Sequence, residues 1–331
     1  MVYNISMVII RIEENEKDQR LDRFLRKYYR NAPLSHLYKL IRTAVKVNGA
    51  RVDKKTMLSR GDEISIDISE EEEKGFIPVK RIETARRQFD IAYEDKNILI
   101  VEKPFGLLTH GTRQEQKETL TNQVIGYLIE SGNFHPDREK IFTPSPVNRL
   151  DRNTTGLVIF GKNAEAIRSL SQMLRENNCI RRFYLAVTHG EVSESMVLMD
   201  RMYKDRSENI MRINRSARGK PELVMRTQIA PMAITKGYSL IEAELLTGKS
   251  HQIRAQLANA GYPILGDRKY KYAGNRQTYA KIPMPKGQQL HAWRIVFRNC
   301  ITPLEYMEGK EIRCDLPKDM KKIKAILFKE Q

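Results

Sequence analysis

Asn148-Arg149-Leu150-Asp151-Arg152-Asn153-Thr154-Thr155-Gly156 places one carboxylate, Asp151, between two arginines and leads into the apolar run 157–160. Prolines precede this stretch, and its Thr-Thr-Gly end is typical of a turn. The pattern predicts a charged loop at the edge of a buried strand, where a rigid scaffold would hold the carboxylate in place. Taken alone, it favours a plainer interpretation, in which Asp151 is a turn residue that binds nearby backbone N–H groups.

A family resemblance changes that balance. Asn-Arg-Leu-Asp-x-x-Thr-Thr-Gly resembles the motif His-Arg-Leu-Asp-x-x-Thr-Ser-Gly of the RluA-type pseudouridine synthases. The resemblance implies that Asp151 is the catalytic residue and that Arg149 contacts the RNA where the target base has left the stack. Asn148 replaces the usual His and Thr155 the usual Ser, and neither change touches the carboxylate.

A second match lies about a hundred residues downstream. Residues 247–257, Thr-Gly-Lys-Ser-His-Gln-Ile-Arg-Ala-Gln-Leu, resemble the family's Thr-Gly-Arg-Thr-His-Gln-Ile-Arg-x-x-Leu. Ser250 is suited to cap a helix here, and Gly261 to end it. The resemblance implies that Arg254 pairs with Asp151, and a bidentate contact would also fix the orientation of the carboxylate. Without the motif, Arg254 would be interpreted as a surface side chain lying along its helix.

Shorter matches lie on predicted strands. Residues 181–187, Arg-Arg-Phe-Tyr-Leu-Ala-Val, resemble the family's Lys-x-Tyr-Leu-Ala-Leu-Val, which implies that Tyr184 is the substrate-contacting tyrosine of the active site. Tyrosine is common in strands, so its position alone would not single it out. Residues 103–106, Lys-Pro-x-Gly, resemble the family's first motif, although a strand-ending turn explains them equally well. Residues 290–292, Leu-His-Ala, resemble its last motif, and we assign the histidine no ligand role.

Composition indicates a protein with an acidic partner. The 331 residues suggest two domains, and 58 Lys and Arg against 41 Asp and Glu give a net charge of +17. No apolar run approaches the roughly 20 residues that span a bilayer, and residues 1–10 lack the features of a signal peptide. The three cysteines form neither a metal-ligand spacing nor a disulfide framework. We therefore expect a cytoplasmic protein, taken as a monomer, without membrane, metal or cofactor.

The positive charge is concentrated near the N-terminus. Between residues 20 and 60 there are 12 Lys or Arg against 2 Asp or Glu, which favours phosphate binding. Apolar spacing predicts a helix at 19–30 and a second that begins at Pro33 with Ser35 as its cap, and Asn48-Gly49 predicts a hairpin of strands 45–47 and 51–52. Residues 19–68 resemble the RNA-binding domain named after ribosomal protein S-four. A helix-turn-helix DNA-binding domain is the weaker alternative, since a hairpin follows the short second helix at once.

Two later segments are also basic. Residues 201–226 are consistent with a loop that touches RNA and equally with a surface hairpin that makes no contact. Residues 268–286 contain six basic residues and no acidic one, with Tyr270, Tyr272 and Tyr279 interleaved. Basic and aromatic side chains together suit unstacked or single-stranded RNA.

The predicted fold is α+β. An S-four-type domain with an acidic linker at 70–73 would occupy residues 1–74. A pseudouridine synthase catalytic domain would follow at 75–331, built on a mixed, largely antiparallel sheet with flanking helices.

The predicted activity is isomerisation of specific uridines to pseudouridine in RNA. The N-terminal module resembles the arrangement in RluC and RluD members, which implies large-subunit ribosomal RNA as substrate, with tRNA as an alternative. A competing hypothesis is a non-catalytic RNA-binding or ribosome-assembly protein on the same scaffold, and a weaker one is a DNA-binding regulator.

Overall fold

The computed structural model describes residues 5–77, 83–112, 114–139, 141–176, 179–205, 208, 210–213, 223–271 and 282–328. The chain forms two compact units that are discontinuous in sequence. The first comprises Met1–Ala85, Asn122–Pro144 and Lys162–Glu165, and the second Arg86–Thr121, Ser145–Gly161 and Ala166–Gln331. The division into domains at residue 74 stays a prediction.

The first unit contains a three-stranded antiparallel sheet, in the order β1-β5-β3, and a small ladder of β2 with β4. Its elements are β1 (Ile5–Arg11), β2 (Gln19–Arg20), α1 (Leu21–Tyr28), α2 (Leu34–Thr43), β3 (Val45–Val47), β4 (Met57–Leu58), β5 (Glu63–Ser69) and α3 (Glu70–Phe76), together with most of α4 (Leu120–Glu130).

Apolar spacing explains the core of this unit. Leu21, Phe24, Leu25 and Tyr28 lie on one face of α1 and are all buried, as their spacing predicts. Side chains of this size each contribute about 1.5–3 kcal/mol when fully removed from water. The helix predicted at 19–30 is therefore present but shorter at both ends.

The predicted hairpin is only partly correct. Asn48 and Gly49 adopt φ of 52° and 78°, as a tight turn of this kind requires. Residues 51–52 form no strand, however, and β3 pairs with β5 instead. The side-chain oxygen of Asn48 accepts a hydrogen bond from the Glu63 N–H at 2.9 Å, which ties the turn to β5.

The acidic run predicted as a linker forms helix α3. Ser69 caps it by accepting a hydrogen bond from the Glu72 N–H at 3.3 Å. The four glutamates fill the first turn, where the positive end of the helix dipole favours them. The charge pattern that predicts a solvated linker thus suits the first turn of a helix equally well.

The second unit is built on an eleven-stranded sheet. Its strands are β6 (Asp90–Glu94), β7 (Ile98–Lys103), β8 (Ser145–Pro146), β9 (Thr155–Gly161), β10 (Ile180–His189), β11 (Met196–Asp205), β12 (Ile210–Ile213), β13 (Leu223–Thr235), β14 (Tyr238–Leu245), β15 (Leu290–Phe297) and β16 (Glu311–Arg313). Helices α5 (Ala164–Arg175), α6 (Gln252–Asn259) and α7 (Lys318–Leu327) accompany them, with a short 3-10 helix at Glu305–Met307.

The sheet runs in the order β12-β11-β13-β14-β10-β15-β9-β7-β6, with β8 beside β9 and β16 beside β15. Among the described strands, β9 and β15 are the one parallel pair. The predicted fold class, an α+β protein with a mixed and largely antiparallel sheet, is confirmed.

The parallel pair explains the glycine that ends the Asp151 loop. Gly156 has φ +111° and lies opposite Ala292 of β15. A Cβ atom there would lie 2.1 Å from the Ala292 carbonyl oxygen, so a side chain cannot fit without moving a strand. Every residue of β9 is buried, which fixes the start of this strand and hence the loop before it.

Both helix caps predicted at serines are wrong. Helix α2 begins at Leu34 with Pro33 as its cap, because the fixed φ of proline suits a helix start and leaves Ser35 inside the first turn. Helix α6 begins at Gln252, and its cap is His251 rather than Ser250. Within the described residues, no helix has the length and apolar character needed to cross a membrane.

Candidate active site

Lys103 anchors the Asp151 loop from beneath. Its ammonium donates to three backbone carbonyls, those of Leu107 at 2.7 Å, Arg152 at 2.9 Å and Pro104 at 3.0 Å. The side chain is 1% exposed. Burial lowers the pKa of Lys103 to about 7, against an opposing effect of the Asp151 charge. Lys-Pro-x-Gly is therefore more than a strand-ending turn, since its lysine holds the loop that carries Asp151.

Asn148 fixes the other end of the loop. Its side-chain oxygen accepts from the Ile159 N–H at 2.8 Å, and its amide donates to the Leu157 carbonyl at 3.3 Å. The asparagine at the position of the family's histidine is therefore bonded to the β9 backbone and anchors the loop.

Arg254 contacts Asp151. Its Nη1 donates to Asp151 Oδ2 at 2.7 Å, across 103 positions of sequence. Arg254 is almost fully buried, whereas the Asp151 side chain is 21% exposed. Burial lowers the pKa of Arg254, but its carboxylate partners raise it overall. The guanidinium therefore stays charged beside the carboxylate.

The bidentate contact predicted for Asp151 is wrong. The guanidinium of Arg254 makes its bidentate contact with Asp267 instead. Nε donates to Oδ2 at 2.6 Å, and Nη2 donates to Oδ1 at 2.9 Å. Asp267 is fully buried and also accepts from the N–H groups of Lys269 and Tyr270. Asp267 thus holds the arginine, and the arginine presents one N–H to Asp151.

Two glutamines of α6 set the helix in place. The Gln252 side-chain oxygen accepts from Thr247 Oγ1 at 2.8 Å and from the Lys249 N–H at 3.0 Å. The Gln256 amide donates to the Leu198 and Met225 carbonyls at 3.1 and 3.2 Å. These bonds join α6 to the strands beside it, so the position of Arg254 is fixed by buried polar contacts.

Tyr184 lies on β10, between β14 and β15, and is buried. The β10–β15 register shifts at this residue, so Tyr184 pairs with Ala292 while Phe183 pairs with Arg294. Burial raises the pKa of Tyr184, and Asp151 raises it further against the opposing effect of Arg182. Its phenol is therefore protonated at neutral pH.

Asp151, Arg149, Tyr184 and Arg254 all line one cavity of about 610 Å³. Small-molecule sites are commonly about 300–1,000 Å³. Of the described lining residues, five are Lys or Arg and one is an acid, Asp151; the basic ones are Arg149, Arg175, Arg182, Lys249 and Arg254. The cavity thus combines room for an extruded nucleotide with charge that attracts phosphate.

Sequence reasoning did not single out Arg175, Arg182 or Lys249 as site residues. Arg175 ends α5 and is indistinguishable in sequence from any basic residue in a last helical turn. The predicted basic and aromatic segments are only partly described: 206–207, 209, 214–222 and 272–281, including Tyr272 and Tyr279, lie outside the described residues. Tyr270 is buried and is not among the residues that line the cavity described above.

No cluster of three or more His, Cys, Asp or Glu side chains in the described part of the chain is arranged to hold a metal ion. Among the described residues, the titratable ones that line the cavity are a carboxylate, a tyrosine, a histidine and five cations.

Comparisons with known proteins identify relatives of this chain. The family described as RNA pseudouridylate synthase matches residues 97–259. An "uncharacterized RNA pseudouridine synthase" of Mycoplasma capricolum is 31% identical over 306 residues, covering 91% of this chain and 95% of the relative. "Ribosomal large subunit pseudouridine synthase C" of Pasteurella multocida is 28% identical over 339 residues, covering 100% and 97%. The protein of the same name from Escherichia coli K12 is 30% identical over 273 residues, covering 80% of each chain.

Solved structures agree on the fold. The structure of "Human RNA Pseudouridylate Synthase Domain Containing 4" superposes with a TM-score of 0.54 at 23% identity, covering 72% of this chain and 92% of the human chain. Since a relative is 31% identical over most of both chains, the chain belongs to the RNA pseudouridine synthases of RluA type, enzymes that isomerise uridine to pseudouridine in RNA.

Proposed function

We propose that Asp151 is the catalytic carboxylate and that the substrate is large-subunit ribosomal RNA, modified in the cytoplasm. One observation carries the catalytic assignment. Asp151 Oδ2 is held by Arg254, whereas Oδ1 accepts no hydrogen bond from any described residue and belongs to a residue that lines the cavity. An oriented carboxylate with one free oxygen is suited to attack, or to stabilise, an electron-poor centre.

The reaction defines what the site has to do. The C1′–N1 bond of uridine breaks, the uracil turns, and a C1′–C5 bond forms, after which N1 has gained a proton and C5 has lost one. Reactant and product are isomers, so no donor or oxidant is consumed. Asp151 would act by bonding covalently to the nucleoside or by stabilising a cationic ribose, and both routes require an ionised, fixed carboxylate.

The remaining site residues would hold the nucleotide. Tyr184 offers a buried ring beside Asp151 on which a uracil can stack. Arg149 is exposed and lines the same cavity, and it would occupy the position that the extruded base leaves. Extrusion costs a few kcal/mol, least for a base already in a loop. The cations that line the cavity would offset this cost through contacts with the adjacent phosphates.

Two observations support large-subunit ribosomal RNA. Relatives that match most of the chain are named ribosomal large subunit pseudouridine synthase C. The N-terminal segment is strongly basic and resembles an RNA-binding domain, which would anchor a structured RNA. Transfer RNA is the alternative outcome of the test.

Pseudouridine mapping of ribosomal and transfer RNA from cells that lack the gene tests both proposals. Complementation uses wild type, Asp151→Asn, or the matched control Asp315→Asn, whose side chain is 90% exposed. We expect specific large-subunit sites to be lost and to return with wild type and the control only. Lost sites confined to tRNA would overturn the substrate. Restoration by Asp151→Asn would overturn the catalytic assignment, and unchanged pseudouridine with defective ribosome assembly would favour a non-catalytic role.

A further inference from the structure

His251 stands beside Asp151 in an unusual backbone conformation. It precedes α6 with φ 54°, in the left-handed region that residues other than glycine rarely adopt. Its side chain makes no capping bond to the helix and lines the cavity instead. Such conformations persist where the surrounding structure enforces them, and they concentrate at functional sites.

A chain of hydrogen bonds fixes the protonation pattern of the imidazole. The Met211 N–H donates to Tyr270 Oη at 2.6 Å, and Tyr270 Oη lies 3.1 Å from His251 Nδ1. The phenol oxygen accepts from Met211, and its own hydrogen can be donated to Nδ1. A neutral imidazole that accepts at Nδ1 carries its hydrogen on Nε2.

Nε2 of His251 faces the oxygen of Asp151 that Arg254 does not hold. His251 Nε2 lies 3.9 Å from Asp151 Oδ1, while Arg254 holds Oδ2 at 2.7 Å. The separation exceeds a hydrogen bond by about 1 Å. No described donor hydrogen-bonds Oδ1, and His251 Nε2 is a polar atom that lies within 4 Å of it.

We propose that His251 is a positioning residue for Asp151: a neutral imidazole, locked as the Nε2–H tautomer by Tyr270, that limits rotation of the carboxylate at Oδ1. The inference rests on the proposed catalytic role of Asp151. Arg254 and His251 then confine the carboxylate from two sides, one at each oxygen.

The surrounding charges keep the imidazole neutral. Burial lowers the pKa of His251, and the nearby cations Arg254 and Lys269 lower it further, whereas Asp151 and Asp267 raise it. Tyr270 is the remaining titratable group in contact, and burial raises its pKa, so it stays a phenol. A neutral donor orients Asp151 without cancelling the negative charge that the reaction needs.

Two substitutions separate orientation from folding. His251→Asn tolerates the left-handed backbone and keeps an amide near Nδ1, but it does not reach Oδ1. His251→Gln suits the backbone less well but places an amide N–H near the position of Nε2. We expect His251→Asn to lower kcat about 10- to 100-fold with KM changed less than about 2-fold, since a misplacement of about 1 Å can cost that much. His251→Gln should recover part of kcat, and both should keep the wild-type unfolding midpoint.

Nitrogen-15 NMR of histidine-labelled protein gives a readout independent of activity, with His251 assigned by comparison with His251→Gln. We expect the neutral Nε2–H tautomer at pH 7, and loss of that fixed tautomer in Tyr270→Phe. An imidazolium, or the Nδ1–H tautomer, in wild type would overturn the proposal, as would His251→Asn with wild-type kcat. If Asp151→Asn is inactive in that case, only the role of His251 fails; if Asp151→Asn is active, the proposed catalytic role fails as well.

Discussion

At the scale of single residues, the site depends on how one guanidinium is divided between two carboxylates. Asp267 takes the Nε and Nη2 donors of Arg254, and Asp151 takes Nη1. This arrangement needs the planar fork of arginine, because a lysine ammonium cannot reproduce the bidentate contact and the third bond together. The position of Asp151 is thus set by a residue that does not touch it, Asp267.

Arg254→Lys tests this division. We expect kcat to fall by about 100-fold or more while KM changes little, because the charge stays but the carboxylate loses its fixed donor. Single-turnover kinetics on an RNA substrate measures the effect, and Arg313→Lys, at an exposed arginine, is the matched control. Activity of Arg254→Lys within about 3-fold of wild type would show that the fork has no role in orientation.

Substitution of Gly156 belongs to the same scale. Gly156→Ala should lower the free energy of unfolding by more than about 3 kcal/mol, because its Cβ would meet a strand carbonyl at 2.1 Å. Gly309→Ala is the matched control, since Gly309 also has positive φ (+73°) but nothing within 4 Å of the added Cβ. Backbone strain alone costs about 1 kcal/mol. Equal losses in urea unfolding for the two variants would contradict the close contact of β9 with β15.

At the scale of elements, the loop before β9 is a charged segment fastened to buried strands. Lys103, at the end of β7, binds three carbonyls around it, and Thr109 bonds both the N–H and the carbonyl of Leu150. The bonds of Lys103 to Arg152 and of Thr109 to Leu150 are non-local, whereas those of Lys103 to Pro104 and Leu107 lie within its own turn. The position of the loop therefore depends on the sheet. Loss of one of these hydrogen bonds should make Asp151 more mobile and also lower the stability of the second unit.

Lys103 should make stability depend on pH. Its pKa falls from 10.5 unfolded to about 7 folded, so the unfolded state binds more protons between these values. The difference in the free energy of unfolding between wild type and Lys103→Met should rise in favour of wild type by about 1.4 kcal/mol per pH unit between pH 7.5 and 10. This added stability of wild type should be lost as the pH falls toward 7. Denaturant unfolding of both proteins across this range measures it. A flat difference would mean that the amine stays charged in the fold.

At the scale of the whole molecule, sequence patterns predicted what depends on neighbours in the chain. Apolar residues at helical spacing predict helices over 119–129 and 164–175, and α4 and α5 match these bounds within one residue at each end. The four residues that the family motifs singled out all line one cavity: Asp151, Arg149, Tyr184 and Arg254.

What sequence did not predict depends on distant partners. Asp267 as the bidentate partner of Arg254, and Ala292 as the neighbour that excludes a side chain at Gly156, follow from the tertiary fold alone. The left-handed backbone of His251 likewise has no local signal, since histidine is not a residue that a turn pattern would place there. The acidic run at the start of α3 is ambiguous in sequence, because the same charges suit a solvated linker and the first turn of a helix.

Arg175, an exposed cation that lines the cavity, should govern RNA affinity rather than the rate of the chemical step. Arg175→Ala should weaken RNA binding and reduce the slope of log K against log salt by about 0.7–0.9, the value for one lost phosphate contact. We expect kcat to stay within about 2-fold of wild type. Titrations of RNA at several salt concentrations give the slope, with Arg313→Ala as the control. An unchanged slope would remove Arg175 from the phosphate contacts.

We expect that the carboxylate of Asp151 performs the isomerisation and that Asp151→Asn leaves the rest of the site intact. Single-turnover pseudouridine formation by purified Asp151→Asn, on a large-subunit ribosomal RNA fragment modified by wild type, tests it most directly. We predict RNA affinity and an unfolding midpoint equal to those of wild type, with no pseudouridine formed at saturating enzyme. Product formation by this variant at a rate within about 10-fold of wild type would contradict the account.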